Sequence, residues 1–152
     1  MTVTSNITGS ELPWQEMHHI ALATRNLEET VRFYTEVLGM QADDIKPPNP
    51  IHGRTCTIKP GSEAKVELHF FEQADAQPIS NHPEIGQGLK FPYVGVHHIA
   101  FLLPDAGTGQ QLYERLQTQE VVMTQVMDQG AVYNFLFKDN NGLMLEANWL
   151  KT

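Results

Sequence analysis

Apolar and polar residues alternate along several short stretches of the chain, and this alternation is typical of half-buried β-strands. The clearest examples are residues 17–24 and 96–103. Each is followed by apolar residues at helical spacing and then by two or three further alternating stretches. The pattern therefore predicts one strand, one helix and two or three strands, in that order, occurring twice.

The predicted elements have recognisable ends. In the first unit, strands are expected at 17–24, 54–59 and 65–71, with a helix from the N-cap Asn26 to Gly39. In the second unit, strands are expected at 96–103, 121–127, 131–138 and 143–149, with a helix over 109–117. The residues between 139 and 142 predict a hairpin turn, because Asn and Gly tolerate a positive φ.

These elements divide the chain into one domain with two modules. Residues 1–14 form a polar tail, and the domain covers 15–152, with module 1 at 15–72, a linker at 73–95 and module 2 at 96–152. The linker contains prolines and glycines, which favour an irregular crossing segment. The tail has neither a basic region nor an apolar core of the secretory type, so we expect a cytoplasmic protein.

The two modules also repeat in sequence. A shift of 79 residues places His18 to Ala21 on His97 to Ala100, an identical tetrapeptide, and places Glu67 on Glu146. His19 and Glu67 are separated by 48 residues, and so are His98 and Glu146. The shared register indicates that the same positions serve the same purpose in both modules.

Strand periodicity assigns faces to these residues. His19 shares a face with Ala21 and Ala23, and His98 shares one with Ala100, so small residues leave room for a cavity beside the second histidine of each doublet. Glu67 and Glu146 face away from the apolar side of their strands. Buried charge must be paired or bound to metal. We therefore predict that His19, Glu67, His98 and Glu146 hold one divalent cation.

Composition excludes several function classes. A chain of 152 residues with 41 % hydrophobic residues suits a single globular domain, and its net charge of −8 disfavours nucleic acid as a partner. No apolar run approaches the roughly 20 residues of a membrane span, so no membrane association is expected. The single cysteine, Cys56, excludes a disulfide framework and a thiolate zinc site.

Two motifs carry a family resemblance. One runs from His19-Ile20-Ala21-Leu22 through the segment from Asn26 to Gly39, and the other comprises Phe137, Asp139, Gly142 and Glu146. Together they resemble the vicinal oxygen chelate superfamily, which includes glyoxalases, methylmalonyl-CoA epimerases, extradiol dioxygenases and antibiotic-resistance proteins. The resemblance covers residues 17–150. It implies an α+β fold in which two βαβββ modules form a curved eight-stranded mixed sheet around a metal cavity, and it implies a homodimer.

The resemblance also implies a reaction class. Imidazole and carboxylate ligands suit Zn²⁺, Ni²⁺, Co²⁺, Mn²⁺ or Fe²⁺, with two coordination positions left open. A small substrate with oxygens on adjacent carbons would chelate the ion, which would stabilise an enediolate during isomerisation or lyase chemistry of the lactoylglutathione-lyase type. Glu67 and Glu146 are the candidate catalytic bases.

Two alternatives remain open. An extradiol dioxygenase would use Fe²⁺ with His19, His98 and Glu146, and a fourth ligand at Glu67 would remove a position that oxygen needs. The dioxygenase pattern also has a tyrosine where this chain has Leu136. The third possibility is a non-catalytic drug-binding protein, although such relatives lack the four ligands as a set.

Overall fold

The structure is a computed structural model that describes residues 10–79 and 94–151. Within these residues the chain forms two four-stranded sheets and two α-helices, with one sheet and one helix from each module. The α+β fold with two βαβββ modules is thereby confirmed. The predicted tail and linker lie partly outside the described residues.

Module 1 forms a mixed sheet with the strand order β1-β4-β3-β2. The first strand is parallel to the last, and the remaining pairs are antiparallel. Its elements are β1 (His19–Thr24), α1 (Leu27–Arg32), β2 (Gln41–Ala42), β3 (Thr55–Lys59) and β4 (Glu67–Glu72).

Module 2 repeats this topology with the order β5-β8-β7-β6. The parallel pair is again formed by the first and last strands of the module. Its elements are β5 (Ile99–Leu102), α2 (Ala106–Thr118), β6 (Met127–Asp128), β7 (Val132–Lys138) and β8 (Met144–Leu150).

Side-chain caps fix where both helices begin. Asn26 Oδ1 accepts a hydrogen bond from the backbone N–H of Glu29 at 3.1 Å, as its N-cap position predicts. Asp105 accepts from Thr108 N–H at 2.7 Å, and α2 therefore begins three residues earlier than predicted. The first helix ends in a π-helical turn, and Gly39 follows with a φ of 73°. Neither helix in the described ranges is long and apolar enough to cross a membrane.

The strand predicted at 121–127 is wrong for most of its length. This segment meets β7 at one isolated bridge, between Met123 and Phe137, and regular pairing begins only at Met127. The hydroxyl of Thr124 accepts the backbone N–H of Leu136 at 3.0 Å. Because a side chain uses this donor, a regular ladder does not form there.

One hydrophobic core joins the helix-bearing faces of both sheets. It includes Tyr34 and Phe70 from module 1 and Phe135 and Trp149 from module 2. Across the module boundary the buried Tyr34 hydroxyl donates to Asp139 Oδ2 at 2.7 Å. The modules therefore share a core on their helical sides, which leaves the opposite faces of the sheets free to build a site.

Candidate metal centre

The strand faces agree with the sequence prediction. In β1, Ile20 and Leu22 are half-buried towards the core, whereas His19, Ala21 and Ala23 are exposed on the opposite face. In β5, Ile99 and Phe101 pack towards the core, whereas Ala100 and Leu102 are exposed. The second histidine of each doublet is therefore attached to the face that does not belong to the core.

In module 1, His19 lies directly opposite Glu67 in the parallel pair of β1 and β4. Two residues further along, His69 contacts Glu67 Oε2 through Nε2 at 3.0 Å and stacks on the His19 ring with 3.9 Å between centroids. Lys59 Nζ is 3.7 Å from Glu67 Oε1. We call His19, Glu67 and His69 the module 1 half-site.

The electrostatics of this half-site favour metal-binding protonation states. The hydrogen bond from His69 lowers the pKa of Glu67, with a further contribution from Lys59. Partial desolvation lowers the pKa of His19, as do the neighbouring rings of His69 and His18. An ionised carboxylate and a neutral imidazole are the forms that bind a divalent cation.

Each histidine doublet makes the same internal contact. The Nδ1 atoms of His18 and His19 are 2.8 Å apart, and those of His97 and His98 are also 2.8 Å apart. When the first histidine accepts this hydrogen bond, the second is the Nδ1–H tautomer and retains a lone pair on Nε2. Metal-ligating histidines are commonly oriented by a hydrogen bond from the other ring nitrogen.

In module 2, Glu146 is surrounded differently. Its Oε2 lies 3.8 Å from His98 Nε2 and accepts from Asn148 Nδ2 at 3.1 Å, while its Oε1 accepts from Asn134 Nδ2 at 2.5 Å. Asn134 Oδ1 is buried and has no hydrogen-bond partner. We call His98, Glu146, Asn134 and Asn148 the module 2 half-site.

The structure thus brings the four predicted ligands together as two pairs. His19 accompanies Glu67, and His98 accompanies Glu146. Within residues 10–79 and 94–151, no group of three or more His, Cys, Asp or Glu side chains is arranged to hold a metal ion. A cation bound by all four side chains therefore requires the two half-sites to approach each other.

The donor set itself suits a divalent transition metal. Two imidazoles and two carboxylates match the ligand preferences of the five predicted metals. No thiolate competes in the described part of the chain, because Cys56 is buried in β3 and burial raises the pKa of its thiol. Cys56 is therefore a small buried residue of the core.

Asn134 and Asn148 were not among the predicted site residues. Both lie on the face of Glu146, since Asn134 pairs with Asn148 across β7 and β8, next to the pair of Leu136 and Glu146. The available signal was a lone amide in the apolar run VYNFLFK, together with an amide two residues after the candidate ligand. A polar residue inside a buried strand requires a partner.

Comparison with known proteins connects this geometry to a family. The model of the Glyoxalase/Bleomycin resistance protein/Dioxygenase superfamily matches residues 16–147. A mitochondrial methylmalonyl-CoA epimerase of Dictyostelium discoideum is 36 % identical over 92 residues, which cover 59 % of this chain and 50 % of that protein. The chain thus spans about half the length of this curated relative.

Solved structures agree on the fold. A glyoxalase/dioxygenase from Nostoc punctiforme superposes with a TM-score of 0.74 at 17 % identity, covering 96 % of this chain and 99 % of its own. TnmS3, an antibiotic-binding protein from Streptomyces sp. CB03234, superposes with a TM-score of 0.66 at 16 % identity, covering 93 % and 100 %. Because the family model matches residues 16–147, this chain belongs to the glyoxalase/bleomycin resistance/dioxygenase superfamily.

Proposed function

We propose that the protein is a divalent-metal-dependent isomerase that moves a proton on a small carbonyl substrate. The observation that carries this proposal is the position of Glu67, directly opposite His19 and ionised beside His69. It provides a fourth oxygen or nitrogen donor, which isomerase-type chemistry can use and which the three-ligand dioxygenase arrangement does not need. Similarity to a methylmalonyl-CoA epimerase supports the same reaction class.

The roles follow from the donors present. His19, Glu67, His98 and Glu146 would hold the ion, which when bound supplies electrophilic stabilisation of negative charge on substrate oxygens. Glu67 and Glu146 are the carboxylates able to take a proton from the carbon next to the substrate carbonyl and to return it. Lys59 and His69, which contact Glu67, keep that carboxylate ionised between proton transfers.

We further propose that each site is assembled from two copies of the chain in a homodimer. β1 and β5 are edge strands of their sheets, and their histidine-bearing faces carry exposed residues such as Ala21 and Leu102. If β1 of one copy lies beside β5 of the other, the two half-sites face each other. The shared core on the helical sides of the modules supports this arrangement over one within a single chain.

Subunit complementation tests the shared site. His19→Ala and His98→Ala proteins are each expected to bind little metal. A mixed dimer retains one site made only of unmutated half-sites, so random mixing should restore about a quarter of the wild-type metal sites. Mixing each variant with itself is the control. If the mixture stays as empty as its components, each site lies within one chain.

Activity is tested by reconstitution. Metal-free protein is reloaded with Zn²⁺, Ni²⁺, Co²⁺, Mn²⁺ or Fe²⁺, and exchange of substrate hydrogen with deuterium is followed on a methylmalonyl thioester and on a methylglyoxal–glutathione hemithioacetal. Metal-dependent exchange supports the proposal. Oxygen uptake with a catechol and Fe²⁺ alone would replace it with the dioxygenase function. Ligand binding without metal would instead favour a drug-binding role.

A further inference from the structure

The most unusual feature of the module 2 half-site is that carboxamides occupy both oxygens of Glu146. Asn134 Nδ2 donates to Oε1 at 2.5 Å, and Asn148 Nδ2 donates to Oε2 at 3.1 Å. The two amides come from neighbouring strands and lie directly opposite each other. Together they restrain the rotation of the carboxylate about its last side-chain bond.

The orientation of the Asn134 side chain leaves its oxygen unpaired, which indicates that the bond from its NH₂ group to Glu146 determines this orientation. Its side chain is buried, and its Oδ1 has no hydrogen-bond partner. Leaving a buried acceptor unpaired is unfavourable. Turning the amide over would place Oδ1 against Glu146 Oε1, which is also unfavourable. The observed orientation therefore follows from the charge-assisted bond to Glu146, which is stronger than a bond between neutral groups.

Module 1 has no corresponding amides. The pair of Thr57 and His69 occupies the place that Asn134 and Asn148 occupy in module 2, since each pair lies next to its glutamate along the final strand. Thr57 makes no hydrogen bond to Glu67 among the described contacts. His69 contacts Glu67 from the position of Asn148, so the feature specific to Glu146 is the second hydrogen bond, which Asn134 donates from the neighbouring strand.

We propose that Asn134 and Asn148 are positioning residues that hold Glu146 in the orientation in which it binds the metal. This inference rests on the proposed metal-dependent function. Because both amides donate and neither titrates, Glu146 keeps one fixed orientation, with the remaining lone pair of each oxygen available to a cation. Hydrogen-bond partners that orient metal ligands in this way commonly increase the affinity for the metal.

The experiment compares metal affinity with stability in the full-length protein. Co²⁺ and Zn²⁺ affinities of metal-free Asn134→Leu and Asn148→Leu are measured by calorimetry, and the Co²⁺ absorption bands are recorded. We expect affinity to fall about 10- to 100-fold in each variant, with altered Co²⁺ bands. The melting temperature of metal-free Asn134→Leu should fall little, because removal of the unpaired Oδ1 offsets part of the loss of the bond to Glu146.

Two further variants separate positioning from packing. Asn148→His places the residue type of module 1 in module 2 and keeps an N–H donor, so it should retain at least half of the wild-type affinity. Thr57→Val changes the matching position of module 1 and should leave affinity unchanged.

Wild-type affinity in both leucine variants would overturn this inference alone, as would affinity losses that disappear once corrected for lost folded protein. Wild-type protein that binds no metal would overturn the proposed function and the inference together.

Discussion

The two modules share one backbone plan but surround their glutamates with different chemistry. Glu67 contacts an imidazole and an ammonium group, both of which can carry charge. Glu146 accepts hydrogen bonds from two neutral carboxamides, and its Oε2 lies 3.8 Å from His98 Nε2. An imidazole or an ammonium group can exchange a proton with the carboxylate that it contacts, whereas the carboxamides bonded to Glu146 only donate hydrogen bonds. The two copies of the module thus carry carboxylates suited to different roles at the proposed metal site.

The modules also differ in strand register. His19 lies opposite Glu67, but Glu146 lies opposite Ala100, two residues beyond His98. A shift of two residues returns each side chain to the same face of the sheet, so Glu146 still points to the side of His98. The slip moves the carboxylate one pleat along β5, so that Glu146 lies beside Ala100 and His98 approaches it from two residues away.

The largest expected effect separates the two glutamates. Glu146→Gln should weaken metal binding by at least about 100-fold and Glu67→Gln by about 10-fold. A glutamine at 146 has one oxygen for two amide donors, so its own NH₂ group faces the second of these donors. A glutamine at 67 still offers an oxygen to His69. Calorimetry on metal-free protein measures both affinities.

Matched exchange variants sharpen this prediction. His69→Asn introduces the module 2 residue into module 1 and keeps an N–H donor for Glu67, so it should bind metal more tightly than His69→Leu. Equal losses in Glu67→Gln and Glu146→Gln would show that the two carboxylates are interchangeable, and the contrast between the modules would then have no functional meaning.

The second prediction concerns the contact between modules. Tyr34→Phe removes the buried hydrogen bond to Asp139 and should lower the free energy of unfolding by about 1.5–3 kcal/mol, as expected for a bond to a charged group. Tyr113 occupies the repeat-related position in module 2, and its hydroxyl has no hydrogen bond among the described residues. Tyr113→Phe is therefore the control. Urea denaturation at neutral pH measures both, and equal losses would contradict the prediction.

Most of the fold could be predicted because periodicity and the repeat constrained each other. The face of His19 followed from alternation with Ile20, and the same face followed for His98 from the shifted copy. The error at 121–127 has a local cause. Alternation describes side chains, and it could not reveal that Thr124 would take the backbone donor of Leu136.

The site was predictable as a set of residues but not as an arrangement. Equal spacing of 48 residues in both modules predicts equal registers, and the structure shows a slip of two residues in module 2. Asn134 was not identified because it lies on a different strand from Glu146 and its importance depends on cross-strand pairing. Pairing of this kind is set by tertiary packing, which a single sequence does not encode locally.

The third prediction, a smaller loss of stability, concerns a difference between the cores of the two modules. A Cβ added at Gly109 would lie 2.6 Å from the Trp149 ring, so Gly109→Ala should destabilise by about 1–3 kcal/mol. The repeat-related positions in module 1 are Thr30 and Phe70, both buried. The larger aromatic residue of module 2 thus requires the glycine.

A double-mutant cycle tests this compensation. In Trp149→Phe, the smaller ring resembles that of module 1 and should accept Gly109→Ala with a loss at least about 0.5 kcal/mol smaller than in wild type. Thermal or urea unfolding of the four proteins gives the coupling energy. Additive losses would mean that the helix of module 2 moves away from the sheet rather than pressing on the ring.

The smallest effect depends on pH and concerns Asp139 in the β7–β8 turn. The repeat-related residue in module 1 is Pro60, which has no titratable side chain. Burial raises the carboxyl pKa of Asp139 above 3.8, although Tyr34 and two backbone N–H groups donate to it. The carboxyl therefore contributes stability that is present below its unfolded pKa and is lost as pH rises through its folded pKa. Asp139→Asn removes this titration. The free energy of unfolding of the variant, measured by urea denaturation, should therefore rise relative to that of wild type as the pH increases from 4 to 7. If the free energy of unfolding of the variant instead falls relative to wild type as the pH increases, the hydrogen bonds of the turn outweigh burial. The ionised carboxylate would then stabilise the contact between the modules.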